Sequence, residues 1–516
     1  MTNATDQYSF DVVVIGSGPG GFAAANRATD FGKKVCIIEK SHIGGAGVIN
    51  GVLTSKTMYE LSMDYSVAAR VDRGYRASAL SVDYNLVRNT VLEAAREKQY
   101  QMRSQIETFA NVSHKGTISL ITGYAKFKDA HTVEVDDQGK MLTIHGDYFI
   151  IATGAHPRRL PGVKTDGKRI ITSDNILSLS KFPGRLLIIG SGIIGCEFAT
   201  IFSNFNQTQV HLLDRSNRVL PYEDDDVSEF VSDNLEKNGV IVHHTAQLRC
   251  IREHPGHLEV VLDYDAGNSR VIEVDVALIA IGREPNTQNI GLETLGVTPD
   301  KRGLIPVDEN GCVENNHGHT HIYAIGDVTA QAQLYSVAEF QGRLAAEAIA
   351  KSICYLPDYS NMSTLMFFKP EVAAVGANEK TLQEKNIGYR AVFYSNILVN
   401  RAIAMRNTHG FVKILVSNDD EQRILGMRAS GPQASAYIVA VAHLINQGNS
   451  LSEVLRVFYP HPSITEGIQE SMRALASKSI FKPVAFPKHI KVSEWKPGDP
   501  KTQTPRDEKI RKSQKK

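Results

Sequence analysis

With 516 residues the chain has room for about three or four domains. A formal net charge of +1, with 42% hydrophobic and 22% charged residues, is that of an ordinary globular protein and gives no reason to expect a nucleic-acid partner. The five cysteines (Cys36, Cys196, Cys250, Cys312, Cys354) are scattered without any CxxC, which excludes a local zinc knuckle and argues against a disulfide framework.

Such cysteines fit free thiols in a reducing compartment, so a cytoplasmic location is expected and no metal is. No run of about 18 apolar residues occurs, so membrane insertion is not expected. The opening MTNATDQYSF lacks the basic and apolar regions of a signal peptide.

Residues 11–15 are a β-branched run suited to a buried parallel strand. Gly16-Ser17-Gly18-Pro19-Gly20-Gly21 follows, then an alanine-rich helix at 22–31 and a second strand at 35–38 ending in Glu39. In this βαβ unit Gly16 makes the tight turn, Gly18 lets backbone approach a pyrophosphate and Gly21 lets the helix pack closely. The helix N-terminus attracts the anion, and Glu39 can accept hydrogen bonds from ribose hydroxyls.

Residues 92–108 read as a charged helix, and 132–135 and 141–144 as parts of a small β-meander. YFIIATG (148–154) is a strand running into a glycine turn. The βαβ arrangement then returns: strand 186–189, Gly190-Ser191-Gly192-Ile193-Ile194-Gly195, helix 196–205, and strand 210–213 ending in Asp214. A carboxylate at this point favours a free 2′-hydroxyl and so NAD over NADP, although Arg215 and Arg218 nearby can accept a phosphate. Two dinucleotide sites in one chain suggest a tightly held flavin and a visiting nicotinamide.

VALIAIG (276–282) and IYAIGD (322–327) are two more strand ends. From about residue 357 alternating strands at 410–416 and 424–430 surround a helix at 434–446, which reads as a separate α+β domain. The expected divisions are 1–157, 158–281, 282–356, 357–478 and an extended basic tail, 479–516. Disorder is expected from about residue 494, with Trp495 as a residue that docks. Cys36, on a core strand, and Cys196, on a helix face, read as packing residues.

The order of these motifs resembles the pyridine nucleotide–disulfide oxidoreductase family, most closely its dihydrolipoamide dehydrogenase branch, over roughly residues 8–475. The resemblance implies two Rossmann-like α/β domains, for FAD and NAD, and a C-terminal α+β dimerisation domain, hence a homodimer. It implies that Gly16, Gly18, Gly21 and Glu39 hold the adenosine and pyrophosphate of FAD. Thr153 and Gly154 form the turn beside that domain, and Asp327 of the Gly326-Asp327 pair contacts the ribityl chain. Gly190, Gly192, Gly195 and Asp214 then hold NAD. Lys56 and Glu197 correspond to the pair near the flavin where hydride arrives. Gly282, Arg283, Pro285 and Asn286 match the turn leading back into the FAD domain, and 367–376 match the opening of the dimerisation domain. His461 and Glu466 match the pair that serves the partner subunit's flavin.

The departures are sharper than the matches. The family's G-G-T-C-x-N-x-G-C-x-P-S-K aligns with residues 44–56, where Gly47 and Val52 stand in place of both cysteines and Thr54 in place of proline. Residues 434–436 read Ala-Ser-Ala where the family has A-x-E. Thiol–disulfide exchange requires a thiolate, which neither Gly47 nor Val52 supplies. The expected function is therefore that of an FAD-dependent NAD(P)H oxidoreductase passing electrons directly to a small-molecule, non-disulfide acceptor, a quinone-like compound or a second nicotinamide. Loss of two sulfurs is expected to open space beside the flavin. Two alternatives remain: a catalytically reduced FAD/NAD-binding subunit of a complex, and a dihydrolipoamide-linked role using thiols of a partner.

Overall fold

The structure is a computed structural model that describes residues 7–111, 115–265, 267–353 and 355–500. Cys354 and the last basic residues, 501–516, lie outside these. The chain divides into two compact units: residues 1–182 with 278–357, and residues 183–277 with 358–516.

The first unit is built on one sheet. Strands Thr117–Thr122, Lys34–Glu39, Gln7–Ile15 and Lys140–Ile151 lie side by side in that order, all parallel, and Ile322–Ala324 joins in parallel beside Lys140–Ile151. The β-meander is present: Thr132–Asp137 and Tyr124–Asp129 extend the sheet antiparallel from Lys140–Ile151. Val12, Val13 and Val14 are fully buried, as a strand covered on both faces requires. Ala24, Ala25 and Ala28 let helix Pro19–Asp30 lie close on that surface. The carboxyl ends of the parallel strands, Ile15, Glu39, Ile151 and Ala324, come together on one side, where open α/β sheets bind ligands.

The first break falls after Phe182, whereas the sequence suggests 157/158. Contacts distant in sequence account for the difference. The Tyr84 hydroxyl donates to the Ile176 carbonyl at 2.6 Å and its ring meets Phe182 edge-on at 4.9 Å, which fastens residues 158–182 to helix Tyr84–Asn111.

In the second unit strands Ile241–His243, Gln209–Leu213 and Arg185–Ile189 run parallel. Ala246–His254, His257–Tyr264 and Ser269–Val274 form an antiparallel sheet. A third, six-stranded antiparallel sheet runs Thr364–Met366, Val372–Gly376, Ile424–Ser430, Phe411–Ser417, Tyr389–Ser395, Ile490–Trp495. Helices Ala434–Asn446 and Glu466–Leu475 close its core through Tyr437, Ile438, Val441, Ile468 and Met472.

One expectation is corrected here. Ile490–Trp495 is not an extension into solvent but the sixth strand, paired to Tyr389–Ser395. Ile490 and Trp495 are buried, and the indole stacks on Tyr389 with ring centres 5.9 Å apart. The four residues between them face solvent, so composition alone gives the segment the look of a polar tail.

Within this unit the start of helix Asp225–Lys237 is pinned to the C-terminal sheet by buried ions. Lys413 Nζ, 3% exposed, lies 3.0 Å from Asp224, 2.9 Å from Asp226 and 2.8 Å from Glu379. Arg428 Nε donates to Glu223 at 2.9 Å, and both are buried. The segment 223–226 is thus tied to the sheet that carries Lys413 and Arg428.

Candidate functional site

In the first glycine loop each glycine has a separate reason. Gly16 sits at φ +108°, and a Cβ there would lie 2.4 Å from the Ala152 carbonyl oxygen. A Cβ on Gly21 would lie 2.0 Å from the Gly16 oxygen, so the helix can start where it does only without one. Gly18 differs: φ is −62° and nothing lies within 4 Å of where its Cβ would be. Neither the backbone nor the packing of this chain demands glycine at 18. Glycine here leaves the space that a ligand phosphate would need to reach the amide groups at the helix N-terminus.

The second loop repeats this. Gly190 has φ +112°, a Cβ on Gly195 would meet the Gly190 oxygen at 1.9 Å, and Gly192 has open space on its Cβ side. Both loops also share a clamp that sequence reading missed. The Ser17 amide and hydroxyl donate to Glu39 Oε2 at 2.9 and 2.6 Å, and the Ser41 amide donates to Oε1 at 2.9 Å. The Ser191 hydroxyl donates to Asp214 Oδ1 at 2.7 Å, joined by the Ser216 amide at 3.0 Å. The signal was present: both loops read Gly-Ser-Gly, each with an acid ending the next strand. Asp214 is 2% exposed, with His244 Nδ1 3.4 Å from Oδ2. Arg218 pairs with Asp225.

Other predicted residues of the first unit converge on one corner. The Thr153 hydroxyl donates to the Asn286 carbonyl at 2.7 Å, the Asn286 amide to the Gly154 carbonyl at 2.8 Å, and Asn286 Nδ2 to the Thr153 carbonyl at 2.8 Å. Ala155–Pro157 pairs antiparallel with Arg283–Pro285, after Gly282 at φ +114°. Arg283 Nε is 3.8 Å from Asp327 Oδ2, and the Gly326 amide donates to Gln341 Oε1 at 2.7 Å. Burial pushes the Asp327 carboxyl up, and Arg283 pulls it back only in part. Gly154 leaves open space at its Cβ position, as Gly18 does.

Lys56 is half-buried in helix Val52–Ala68 of the first unit. Glu197, 5% exposed, is in helix Ile193–Phe205 of the second, where its Oε1 accepts from the Phe367 amide at 3.1 Å. His461 and Glu466 are brought together: Nδ1 and Oε1 are 2.7 Å apart, and Glu466 Oε2 accepts from the Ser463 amide at 3.0 Å. The His461 side chain is 64% exposed within one chain, with Nε2 as its remaining ring nitrogen.

The segment with the missing cysteines gives the clearest correction. Gly47 is buried in the short helix Gly45–Val48, but the lost side chain leaves no opening. A Cβ at 47 would stand 2.7 Å from Pro19 Cγ and 2.9 Å from Tyr335 Cε2. The first residue of helix Tyr335–Ile349 fills the space, and no local pattern around 47 could foretell a partner so distant in sequence. Val52 begins its helix and is 40% exposed. The described cysteines, Cys36, Cys196, Cys250 and Cys312, are all free. Burial pushes the Cys36 thiol up to about 12 and the Cys196 and Cys312 thiols above their ordinary value.

Comparison with known proteins agrees with this geometry. Residues 10–342 match the pyridine nucleotide-disulphide oxidoreductase family, and residues 362–472 match its dimerisation domain. The dihydrolipoyl dehydrogenase of Bacillus subtilis is 30% identical over 472 residues, covering 91% of this chain and 97% of that protein. That of Staphylococcus aureus is 31% identical over 477 residues, covering 92% and 97%. LpdA from Mycobacterium tuberculosis superposes with a TM-score of 0.82 at 26% identity, covering 90% of this chain and 99% of LpdA. The chain belongs to the pyridine nucleotide–disulfide oxidoreductase family. It is a flavin-dependent NAD(P)H oxidoreductase of the dihydrolipoamide dehydrogenase type, with FAD and NAD as cofactors. Among the described residues no helix is long and apolar enough to cross a membrane.

The Asp214 carboxylate makes the nicotinamide preference testable. Asp214→Ala should raise the Michaelis constant for NADH and shift the NADPH to NADH ratio of kcat/KM upward by about tenfold, with flavin content unchanged. An unaltered ratio in steady-state assays would remove Asp214 from the ribose site.

Proposed function

We propose that this chain takes hydride from NADH and passes the electrons from its FAD directly to a small non-disulfide acceptor, a quinone-like molecule or a second nicotinamide. The single observation that carries this reading is Gly47 under the Tyr335 ring. At the position of a family cysteine there is neither a thiol nor room for one unless Pro19 and Tyr335 shift. The dihydrolipoyl dehydrogenases that it resembles are named for a dithiol, the dihydrolipoyl group, and thiol–disulfide exchange needs a thiolate that residues 47 and 52 do not offer.

Bound FAD supplies the two-electron step between NADH and the acceptor. The chain's own residues bind, orient and shield. Gly16, Gly18, Gly21 and Glu39 hold the flavin nucleotide, with Thr153, Gly154, Gly282, Gly326 and Asp327 along its length. Gly190, Gly192, Gly195 and Asp214 hold NAD. Lys56 and Glu197 each correspond to a family residue assigned to hydride transfer. His461, its tautomer set by Glu466, exchanges a proton with the acceptor through Nε2.

A homodimer accompanies this reading. The matched dimerisation domain and the bare apolar side chains Phe458, Ile480 and Val484, near His461 in sequence, support it.

The experiment is an anaerobic mixing of the yellow protein with NADH, followed at the flavin's visible band. Bleaching is expected, with rapid recovery on adding a quinone or thio-NAD and negligible reduction of lipoamide. Failure to bleach with either nicotinamide would leave a binding subunit instead. Efficient lipoamide turnover by the isolated chain would overturn the direct-transfer reading.

A further inference from the structure

The segment leading into strand Ile322–Ala324 carries histidines at alternate positions, His317, His319 and His321. Their rings form a continuous run. His317 and His319 meet edge-on with centres 5.6 Å apart, and His319 and His321 at 5.4 Å. His131, from the turn before strand Thr132–Asp137, stacks flat on His321 at 4.3 Å. Two imidazoles that share a metal ion at about 2.0–2.1 Å have ring centres roughly 5 Å apart. The two edge-on spacings are close to that.

The backbone beneath the rings is held by one side chain. Asn315 Oδ1 accepts from the amides of His317 at 3.1 Å and His319 at 2.9 Å, and its Nδ2 donates to the carbonyls of Val313 and His319. Two of the rings are also oriented from behind. His321 Nε2 is 2.8 Å from the Ala130 carbonyl, and His131 Nδ1 is 3.3 Å from the Gly146 carbonyl. Each such ring keeps its proton on the carbonyl side and leaves its other nitrogen as an acceptor. Metal-binding histidines are oriented by outer contacts of this kind.

Among the described residues, the one trio of ligand atoms already within 4.8 Å of each other is Asp224, Asp226 and Glu379, and Lys413 Nζ bonds to all three. The histidine run is an open set by comparison, completed by rotation of the exposed His317 and half-buried His319 side chains. We infer that His317, His319 and His321, with His131 bracing His321, form a surface site for a divalent transition-metal ion that prefers imidazole, such as Zn(II), Ni(II) or Cu(II). None of the four belongs to the two glycine loops.

The test uses full-length, tag-free, FAD-loaded protein titrated with Zn(II) against a competing chelator. One tight Zn(II) per chain is expected. The double variant His317→Gln/His319→Gln should weaken it by roughly 100-fold or more. His254→Gln/His257→Gln, which removes another stacked pair, should leave it unchanged. Retained flavin and NADH bleaching certify the fold of both variants. Cu(II)-loaded wild type should show electron paramagnetic resonance coupling to imidazole nitrogen. Absence of stoichiometric Zn(II), undiminished affinity in the His317/His319 variant, or a copper spectrum without nitrogen coupling would each overturn the site.

Discussion

Gly18→Val should yield a folded but colourless protein. Residue 18 has an extended conformation that valine adopts readily, and no protein atom lies within 4 Å of the new Cβ. A phosphate against the loop is displaced by the two methyl groups, and FAD is not retained. The companion Gly192→Val should stay yellow, because the altered loop belongs to the other nucleotide. Its kcat/KM for NADH should fall about 100-fold or more. Gly21→Ala and Gly195→Ala serve as the contrast. Their added carbons collide with backbone at 2.0 and 1.9 Å, so those variants should fail in folding as well as in binding. Circular dichroism and the ratio of flavin to protein absorbance separate the outcomes. A Gly18→Val protein with full FAD content would mean that the loop does not touch the cofactor.

Lys413→Met should destabilise the second unit by about 3–5 kcal/mol, because it leaves buried carboxylates without their cation. In the wild type, burial opposes ionisation of Asp224, but Lys413 outweighs it and holds the carboxyl below its ordinary range. Burial likewise opposes the charge on Lys413, and Asp226, Asp224 and Glu379 outweigh it, raising the ammonium. Glu379 goes the other way, its carboxyl raised because burial exceeds the help from Lys413. The sign of the pH dependence follows. The Lys413 contribution is fully present below the ordinary lysine value and lost only as pH rises through the higher folded value. The Asp224 contribution is present above the ordinary carboxyl value and lost as pH falls through the lower one. With Lys413 gone, burial is opposed at Asp224 only by Arg428 and a backbone hydrogen bond, and at Glu379 it is reinforced by Asp224 and Asp226, so the carboxyls rise. The variant's deficit should then shrink as pH is lowered from about 8 toward about 5. Urea unfolding at several pH values measures this. A pH-independent deficit would show that the carboxylates are not what the lysine neutralises.

The parts of the molecule that local pattern specifies could be read ahead of the structure. Both glycine loops, the acids that end their second strands, the β-meander and the helix Ala434–Asn446 follow from periodicity and glycine spacing. The contacts that join distant segments could not. Tyr335 over Gly47, Lys413 among Asp224, Asp226 and Glu379, and Tyr84 on Ile176 each pair residues far apart in sequence with no local signature. Strand Ile490–Trp495 escaped notice for a different reason. Its pairing is made by backbone hydrogen bonds and two buried side chains, while the four exposed residues between them include Lys491, Ser493 and Glu494. In the candidate sites the loop glycines stood out, and the serines that hold Glu39 and Asp214 did not, because serine between two glycines is also an ordinary turn residue.

The most direct measurement counts electrons. Flavin and a redox disulfide each take up two, so a chain that holds both accepts four per FAD, and a chain with flavin alone accepts two. Anaerobic titration of the FAD-loaded protein with dithionite should bleach the flavin fully at about one two-electron equivalent per FAD, with no change in the number of free thiols. A second two-electron equivalent consumed, with two new thiols appearing, would reveal a redox disulfide in this chain and contradict direct transfer from the flavin.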